Sequence, residues 1–222
     1  VPVAMLAALV IGVIFGVVSG FLVTKGRLQP FIATLITMTV YRGVTMIYTE
    51  GKPISGLGSS AFLKFIGKGA VFGIPFPVIV LVVVFAIFYF VLNKTTFGRR
   101  IYATGSNAEC AKLAGVNINK TKLIAYGVSG LMSAMAGLIL LSRLSSAQPT
   151  LGSGYELDAI AAVALGGTSM NGGRGKITGT LFGVLIIAVL SNGMNILGIS
   201  SYYQDVVKGI VILLAVLSDR KR

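Results

Sequence analysis

The sequence holds one cysteine, Cys110, no histidine, and only six acidic residues among its 222. A single cysteine excludes an internal disulfide and any cysteine-based metal cluster. The lack of histidine removes the usual acid–base group at neutral pH and the commonest metal ligand, so no metal or cofactor is expected. Charge is scarce as well. Asp, Glu, Lys and Arg together make up 11% of the chain, against about 25% in soluble domains. Water is therefore not the main environment of this protein.

What is present instead is apolar surface: 55% hydrophobic residues and a mean hydropathy of +0.90. A helix crosses a bilayer with about 20 mostly apolar residues. Val78–Leu92 is continuously apolar, whereas a membrane β-barrel strand alternates over about ten residues. The expected fold is an all-α polytopic membrane protein, with residues 1–222 forming a single transmembrane domain. Seven hydrophobic segments are expected, at about 1–24, 30–49, 76–93, 123–142, 158–173, 177–198 and 203–218. The fifth is interrupted by Gly166-Gly167 and Asn171-Gly172-Gly173, which predicts a broken or re-entrant segment. Such backbone survives at membrane depth only where protein or a water-filled cavity covers it. The chain opens at Val1 inside an apolar run, with no basic region or cleavage site before it. It reads as the C-terminal portion of a longer polytopic protein rather than as a signal peptide.

The net charge of +13 could point to nucleic acid, but the basic residues lie between apolar spans, where they set topology. Placing the C-terminus inside puts Lys25, Arg27, Lys94, Arg99, Arg100, Lys112, Lys120, Lys122, Arg174, Lys176, Arg220, Lys221 and Arg222 on the inner side. The outer side then holds Lys52, Lys64, Lys68 and Arg143. The outer stretch at about 50–75 contains Phe62-Leu63-Lys64-Phe65-Ile66, read as an interfacial helix in preference to a ligand lid. Gly12, Gly16 and Gly20 form one small-residue ridge and Gly175, Gly179 and Gly183 another. Such spacing lets helix backbones approach closely in lipid.

Candidate chemistry is sparse. Gly173-Arg174-Gly175-Lys176 fails as a Walker loop, because Met170 and Ile177 stand where glycine and Ser/Thr are needed. Asn93-Lys94-Thr95 and Asn119-Lys120-Thr121 match the glycosylation pattern but fall on the inner side. No Asp or Glu is central in a hydrophobic segment, as ion coupling usually requires. Arg42 is the clear intramembrane charge, about 10 Å from the outer end of its helix at 1.5 Å per residue. Snorkelling to the interface and a cavity-facing role are both open to it. Thr34, Thr37, Tyr41, Thr45 and Tyr48 make a polar stripe along the same helix, and Ser191, Asn192 and Asn195 a second patch. Hydroxyls, amides and aromatic rings suit a neutral polyol better than an ion. The same groups also serve as interhelical hydrogen bonds.

The stretch Lys94–Lys122 is basic, polar and glycine-bearing. Asn107 is placed to cap a short helix, with Glu109 in its first turn, Ala108, Ala111 and Ala114 on a small face, and Gly115 as its stop. A helix of this kind can press into a groove on a cytoplasmic partner, and it can equally be an ordinary surface helix.

The Glu109-Cys110-Ala111-x-x-x-Gly115 run is similar to the Glu-Ala-Ala-x-x-x-Gly coupling motif of ABC importer permeases, with Cys110 at the middle alanine. Arg143-Leu144-Ser145-Ser146-Ala147-Gln148-Pro149, Gly154 to Ala162, Leu165 to Ser169, and Ser200-Ser201-Tyr202-Tyr203-Gln204 carry a closer match. Lys25-Gly26-Arg27, Phe31 to Leu35 and Arg42 to Met46 also fit. Over essentially its whole length the chain resembles the membrane-spanning permeases of bacterial ABC importers for pentoses and related sugars. The resemblance implies a non-catalytic translocation subunit in the inner membrane, importing ribose or a related monosaccharide. It implies an ATPase on the cytoplasmic face, a periplasmic sugar-binding protein and a second permease copy as partners, with lipid around them and no nucleic acid. On this reading Asn107, Glu109, Cys110, Ala111 and Gly115 meet the ATPase. Thr34, Tyr41, Arg42, Thr45, Asn192 and Asn195 are candidates for the substrate path. An ion-coupled or facilitative carrier and a non-transporting membrane scaffold remain alternatives.

Overall fold

The computed structural model describes residues 1–56 and 61–220. The placement of Lys221 and Arg222, and positions 57–60 of the outer stretch, lie outside the described residues. The chain is helical throughout, in the order α1 (Pro2–Thr24), α2 (Pro30–Thr49), α3 (Ala61–Lys68), α4 (Phe76–Lys94), α5 (Thr96–Ser106), α6 (Ala108–Leu113), α7 (Ile118–Leu144), α8 (Tyr155–Leu165), α9 (Ile177–Ile196) and α10 (Ser201–Arg220). Among the described residues, strand is confined to two antiparallel pairs of two-residue strands. β1 (Ile54–Ser55) pairs with β4 (Ser146–Ala147), and β2 (Ala70–Val71) with β3 (Ile74–Pro75).

Among the described residues, five helices are long and apolar enough to cross a membrane: α1, α2, α4, α7 and α9. The sixth and seventh hydrophobic segments correspond to α9 and α10. The fifth differs from the range read off the sequence: the helix starts at Tyr155 and stops at Leu165. Its 11 residues extend about 16 Å, well short of the roughly 30 Å hydrocarbon core. Gly167, at φ 77°, turns the chain out of α8. The amides of Gly167 and Thr168 then bond back to the carbonyls of Ala164 and Val163, a Schellman ending that only a left-handed residue closes. The stretch 94–122 also differs. It holds two short helices rather than one, and α7 begins inside it at Ile118.

The helices group into two compact units, residues 1–83 with 117–151, and residues 84–116 with 152–222. In the first, α1 lies along α7. A Cβ on Gly12 would stand 2.5 Å from that of Ala134, and one on Gly20 2.9 Å from that of Tyr126. A Cβ on Gly16 would strike the Tyr126 carbonyl, and one on Gly130 the Gly12 carbonyl. Lipid supplies no hydrophobic drive between helices, so van der Waals contact at this short range does the holding. The hydroxyls of Ser19 and Thr37 share a buried hydrogen bond at 3.1 Å that ties α1 to α2. At the far end of α7, α3 buries Leu63 and Gly67 and leaves Phe62 and Phe65 exposed. The Ser142 hydroxyl donates to the Leu63 carbonyl. Lys64, Lys68 and Arg143, grouped on one side by charge alone, thus belong to elements in contact.

In the second unit, α8 packs on α9 around Ala161, Ala162 and Ile187, with Val211 and Ile212 of α10 against them. Gly166 and Gly179 meet backbone to backbone, and a Cβ on Gly183 would strike the Ala162 carbonyl. Gly175 precedes α9 and faces Thr168, so it does not extend the α9 ridge.

Gly130→Ala should destabilise the protein in detergent by about 1–3 kcal/mol through overpacking. Gly137→Ala, on the same helix with open space around its Cβ, should leave it unchanged. Thermal unfolding of the two variants checks this; equal Tm losses would show that the α1–α7 contact is not a close-packed one.

Candidate functional site

Three arrangements concentrate polar side chains. The first is a cavity of about 780 Å³ in the first unit, walled by α1, α2 and α7. Thr34, Thr37, Tyr41 and Thr45 line it from α2, one turn apart, and Ser19 from α1. Ser129 and Ser133 line it from α7; their four-residue spacing was a usable signal that the sequence reading passed over. Phe15 stacks on Tyr41 with ring centroids 4.1 Å apart, and the Tyr41 hydroxyl donates to the Phe15 carbonyl at 3.2 Å. The threonine hydroxyls donate to carbonyls three or four residues back: Thr34 at 3.0 Å to Pro30 and Phe31, and Thr45 at 2.8 Å to Tyr41. Their lone pairs stay free to accept from a solute. Among the described residues, no acid, lysine or arginine lines the cavity. Such a wall offers hydroxyl oxygens and an aromatic face to an uncharged polar molecule and nothing to compensate an ion.

Two of the sequence candidates stand apart from it. Arg42 is half-buried and does not line the cavity; one residue on from Tyr41 it is turned about 100° around the helix. Tyr48, at 84% exposure, is likewise outside it. Asn192 and Asn195 belong to the second unit. Asn192 is exposed. The Asn195 side-chain oxygen accepts from Gln204 Nε2 at 2.9 Å, and the same amide donates to the Ile199 carbonyl at 2.9 Å. Asn195 thereby fastens the end of α9 to the start of α10.

The second arrangement is an ion pair absent from the sequence reading. Lys208 Nζ of α10 lies 2.9 Å from Asp158 Oδ1 and 3.0 Å from Oδ2, with side chains 20% and 26% exposed. Asp158 also sits in the first turn of α8, where the helix dipole favours a carboxylate.

The third is α6. Asn107 Oδ1 accepts from the Cys110 amide at 3.0 Å, capping the helix. Glu109 follows in its first turn. Ala111 is buried while Glu109, Cys110, Lys112 and Leu113 are exposed, Leu113 to 89%. Gly115, at φ 82°, ends α6. The amides of Gly115 and Val116 reach back to the carbonyls of Lys112 and Ala111, both at 3.0 Å, the two bonds of a Schellman motif. Asn107 is also the residue that ends α5. A six-residue helix is too short to persist by its own hydrogen bonds; here both ends are closed by specific residues. The Thr95 hydroxyl, accepting from the Gly98 amide at 3.3 Å, caps α5, and was the signal for that helix.

A helical membrane protein with a mostly apolar, hydroxyl-bearing cavity and a separately capped short helix between spans has the form of a transport component. The family described as branched-chain amino acid transport system, permease component, matches residues 1–216, and the chain belongs to it. That family is one of transport subunits, not of catalysts. The chain is 58% identical over 204 residues to the ribose import permease protein RbsC of Bacillus subtilis (strain 168), covering 92% of this chain and 63% of that protein. It is 53% identical over 222 residues to RbsC of Escherichia coli (strain K12), covering 99% and 69%. With the L-arabinose transport system permease protein AraH of Escherichia coli (strain K12) it shares 45% identity over 203 residues, 91% of this chain and 61% of that one. The chain thus spans about two thirds of the length of these relatives. No solved structure matches it.

Asn107→Ala should cost about 1 kcal/mol of local stability and speed amide hydrogen exchange across residues 108–113, while Asn107→Asp keeps the cap and the protection. Asp158→Ala leaves Lys208 half-buried and unpaired. It should destabilise by about 1–3 kcal/mol, below the 3–5 of a fully buried pair, with the reversed pair Asp158→Lys, Lys208→Asp recovering part of the loss. Additive single and double losses would show the two charges to be uncoupled.

Proposed function

We propose that this chain forms the membrane-spanning permease domain of an ATP-driven importer of ribose or a related monosaccharide, residing in the bacterial inner membrane. The observation that carries the reading is the high identity to ribose import permeases across nearly the whole chain. The capped α6 with its exposed tip supports it. In this reading residues 1–222 act as one domain of about seven hydrophobic segments, α8 being the broken one, with the C-terminus cytoplasmic. Residues 94–122 are the cytoplasmic coupling loop within it. Asn107, Glu109, Cys110, Ala111 and Gly115 shape the surface that meets a separate ATPase, which hydrolyses the ATP. A periplasmic sugar-binding protein delivers substrate, and a second permease copy completes the pathway.

The hydroxyl-lined cavity is the substrate-facing part. Thr34, Tyr41 and Thr45, joined by Ser129 and Ser133, present hydrogen-bond partners to sugar hydroxyls, and the Phe15–Tyr41 pair an apolar face. Arg42, at the edge of this stripe, and Asn192 and Asn195 in the second unit keep supporting roles in the path. For Asn195 that role is to hold α9 on α10.

The test is uptake of radiolabelled ribose into proteoliposomes that hold the full-length protein, its ATPase and its binding protein. Uptake should require ATP inside and survive collapse of ion gradients. Uptake that proceeds without ATP, or that vanishes with the gradient, would identify a carrier instead; assembly without any flux would identify a scaffold. Gly115 gives a sharper check. Nothing in this chain lies within 4 Å of a Cβ there, so within the chain its positive φ is the constraint. Gly115→Trp carries a backbone cost of about 1–2 kcal/mol and should uncouple hydrolysis from uptake, whereas Gly115→Asn, which tolerates the left-handed region, should restore coupling.

A further inference from the structure

The loop 166–176 between α8 and α9 holds five glycines, Gly166, Gly167, Gly172, Gly173 and Gly175. It is compact. The Ser169 amide donates to the Arg174 carbonyl at 2.9 Å, and the Gly172 amide to the Ser169 carbonyl at 3.2 Å. It is also seated on α5. A Cβ on Gly105 would stand 2.5 Å from the Gly173 amide nitrogen, and one on Gly173 2.6 Å from the Ser106 Cα. Backbone meets backbone here with no room for a side chain from either partner. Two residues on, the Tyr102 hydroxyl donates to the Gly175 carbonyl at 3.0 Å, part-buried.

The two ends of this contact lead in different directions. On one side, α5 and α6 share the single residue Asn107. Its amide donates to the Ala103 carbonyl at 3.1 Å, its carbonyl accepts from Ala111 at 3.0 Å, and its side chain caps α6. The backbone amide, the carbonyl and the side-chain oxygen of Asn107 are thus all engaged at the joint between the two helices. On the other side, the loop runs directly into the α8–α9 crossing, where Gly166 and Gly179 touch through their backbones. Close-packed contacts of this kind slide or switch as units and do not deform continuously.

We propose that α5 and the glycine loop 166–176 form a mechanical relay, with Tyr102 and Gly105 as positioning residues that pass displacement of α6 to the α8–α9 pair. The relay rests on the importer reading, since it needs an ATPase acting on α6. It assigns to the loop the task of receiving the stroke. The absence of side chains at Gly105 and Gly173 keeps the contact short enough to transmit without slack, and the Tyr102 hydrogen bond fixes its register.

The experiment uses the full-length protein with its ATPase and binding protein in proteoliposomes. It compares wild type, Gly105→Val and Tyr102→Phe for ATPase association, ATP hydrolysis and ribose imported per ATP. Tyr102→Phe deletes one hydroxyl and is expected to fold normally. Its uptake per ATP should fall about threefold to tenfold, the worth of one hydrogen bond, with association and hydrolysis retained. Gly105→Val, which wedges the contact open against backbone, should lose at least tenfold, on the order expected of overpacking. In wild type, hydrogen exchange of the amides in 166–176 should differ between ATP-bound and nucleotide-free complexes, and in Gly105→Val that difference should disappear. A merely structural contact would lower stability without changing uptake per ATP. An unchanged ratio in Tyr102→Phe, with wild-type nucleotide dependence of exchange, would overturn the relay and leave the importer standing. Failure of the wild-type protein to bind an ATPase at all, or ATP-independent uptake, would overturn the importer and the relay together.

Discussion

Direct backbone-to-backbone contact between helices is the interaction on which both units depend. Lipid tails are as apolar as leucine, so helices in a membrane gain little from burying leucine against leucine. What distinguishes one neighbour from another is how closely two helices approach. In this chain that distance is set by Gly12, Gly16 and Gly130 between α1 and α7, and by Gly166, Gly179 and Gly183 between α8 and α9. Few large side chains are buried, and the fully enclosed apolar residues are mostly alanines such as Ala33, Ala161 and Ala162. The large apolar side chains face outward instead, as Phe182 and Val189 do, the arrangement expected where lipid and not water is the solvent.

Most of the buried polar side chains on this scaffold have a partner at hand, Thr104 and Ser191 being exceptions. Threonine hydroxyls bond to their own helix, Ser19 to Thr37, Gln204 to Asn195, and Lys208 to Asp158. The cavity in the first unit gathers hydroxyls that retain unused acceptor capacity. On the proposed reading, that surplus is what a sugar would use, although the Ser19–Thr37 tie lies in the same wall. On the second unit, the short helices between α4 and α7 are held by side-chain and backbone caps rather than by length, which lets a short segment be at once helical and exposed.

Much of this was legible beforehand. Apolar runs located the spanning helices to within a few residues. The i, i+4 glycines named the α1 contact surface before its partner was known. Asn107 and Gly115 marked both ends of α6, because capping chemistry is local: a side-chain oxygen three residues before an orphan amide, and a residue free to take positive φ. The polar stripe of α2 was visible for the same reason, being a periodicity within one helix. Where the reading fell short, the missing information was of another kind. Residues 158–173 look apolar enough to span, but the Schellman ending at Gly167 stops the helix at Leu165. The capped α5 was hidden by a basic, low-hydropathy sequence.

The sequence by itself determined the solvent, the long apolar helices, the caps of α6 and the family, since each depends on composition or on residues a few positions apart. Only the tertiary structure decided which helices touch. It paired Asp158 with Lys208, 50 residues apart, closed α7 over the α2 stripe to make a cavity, turned Arg42 out of it, committed Asn195 to Gln204, and seated the glycine loop on α5. Those are contacts between surfaces distant in sequence. They are selected by how closely two backbones fit, which no single segment encodes.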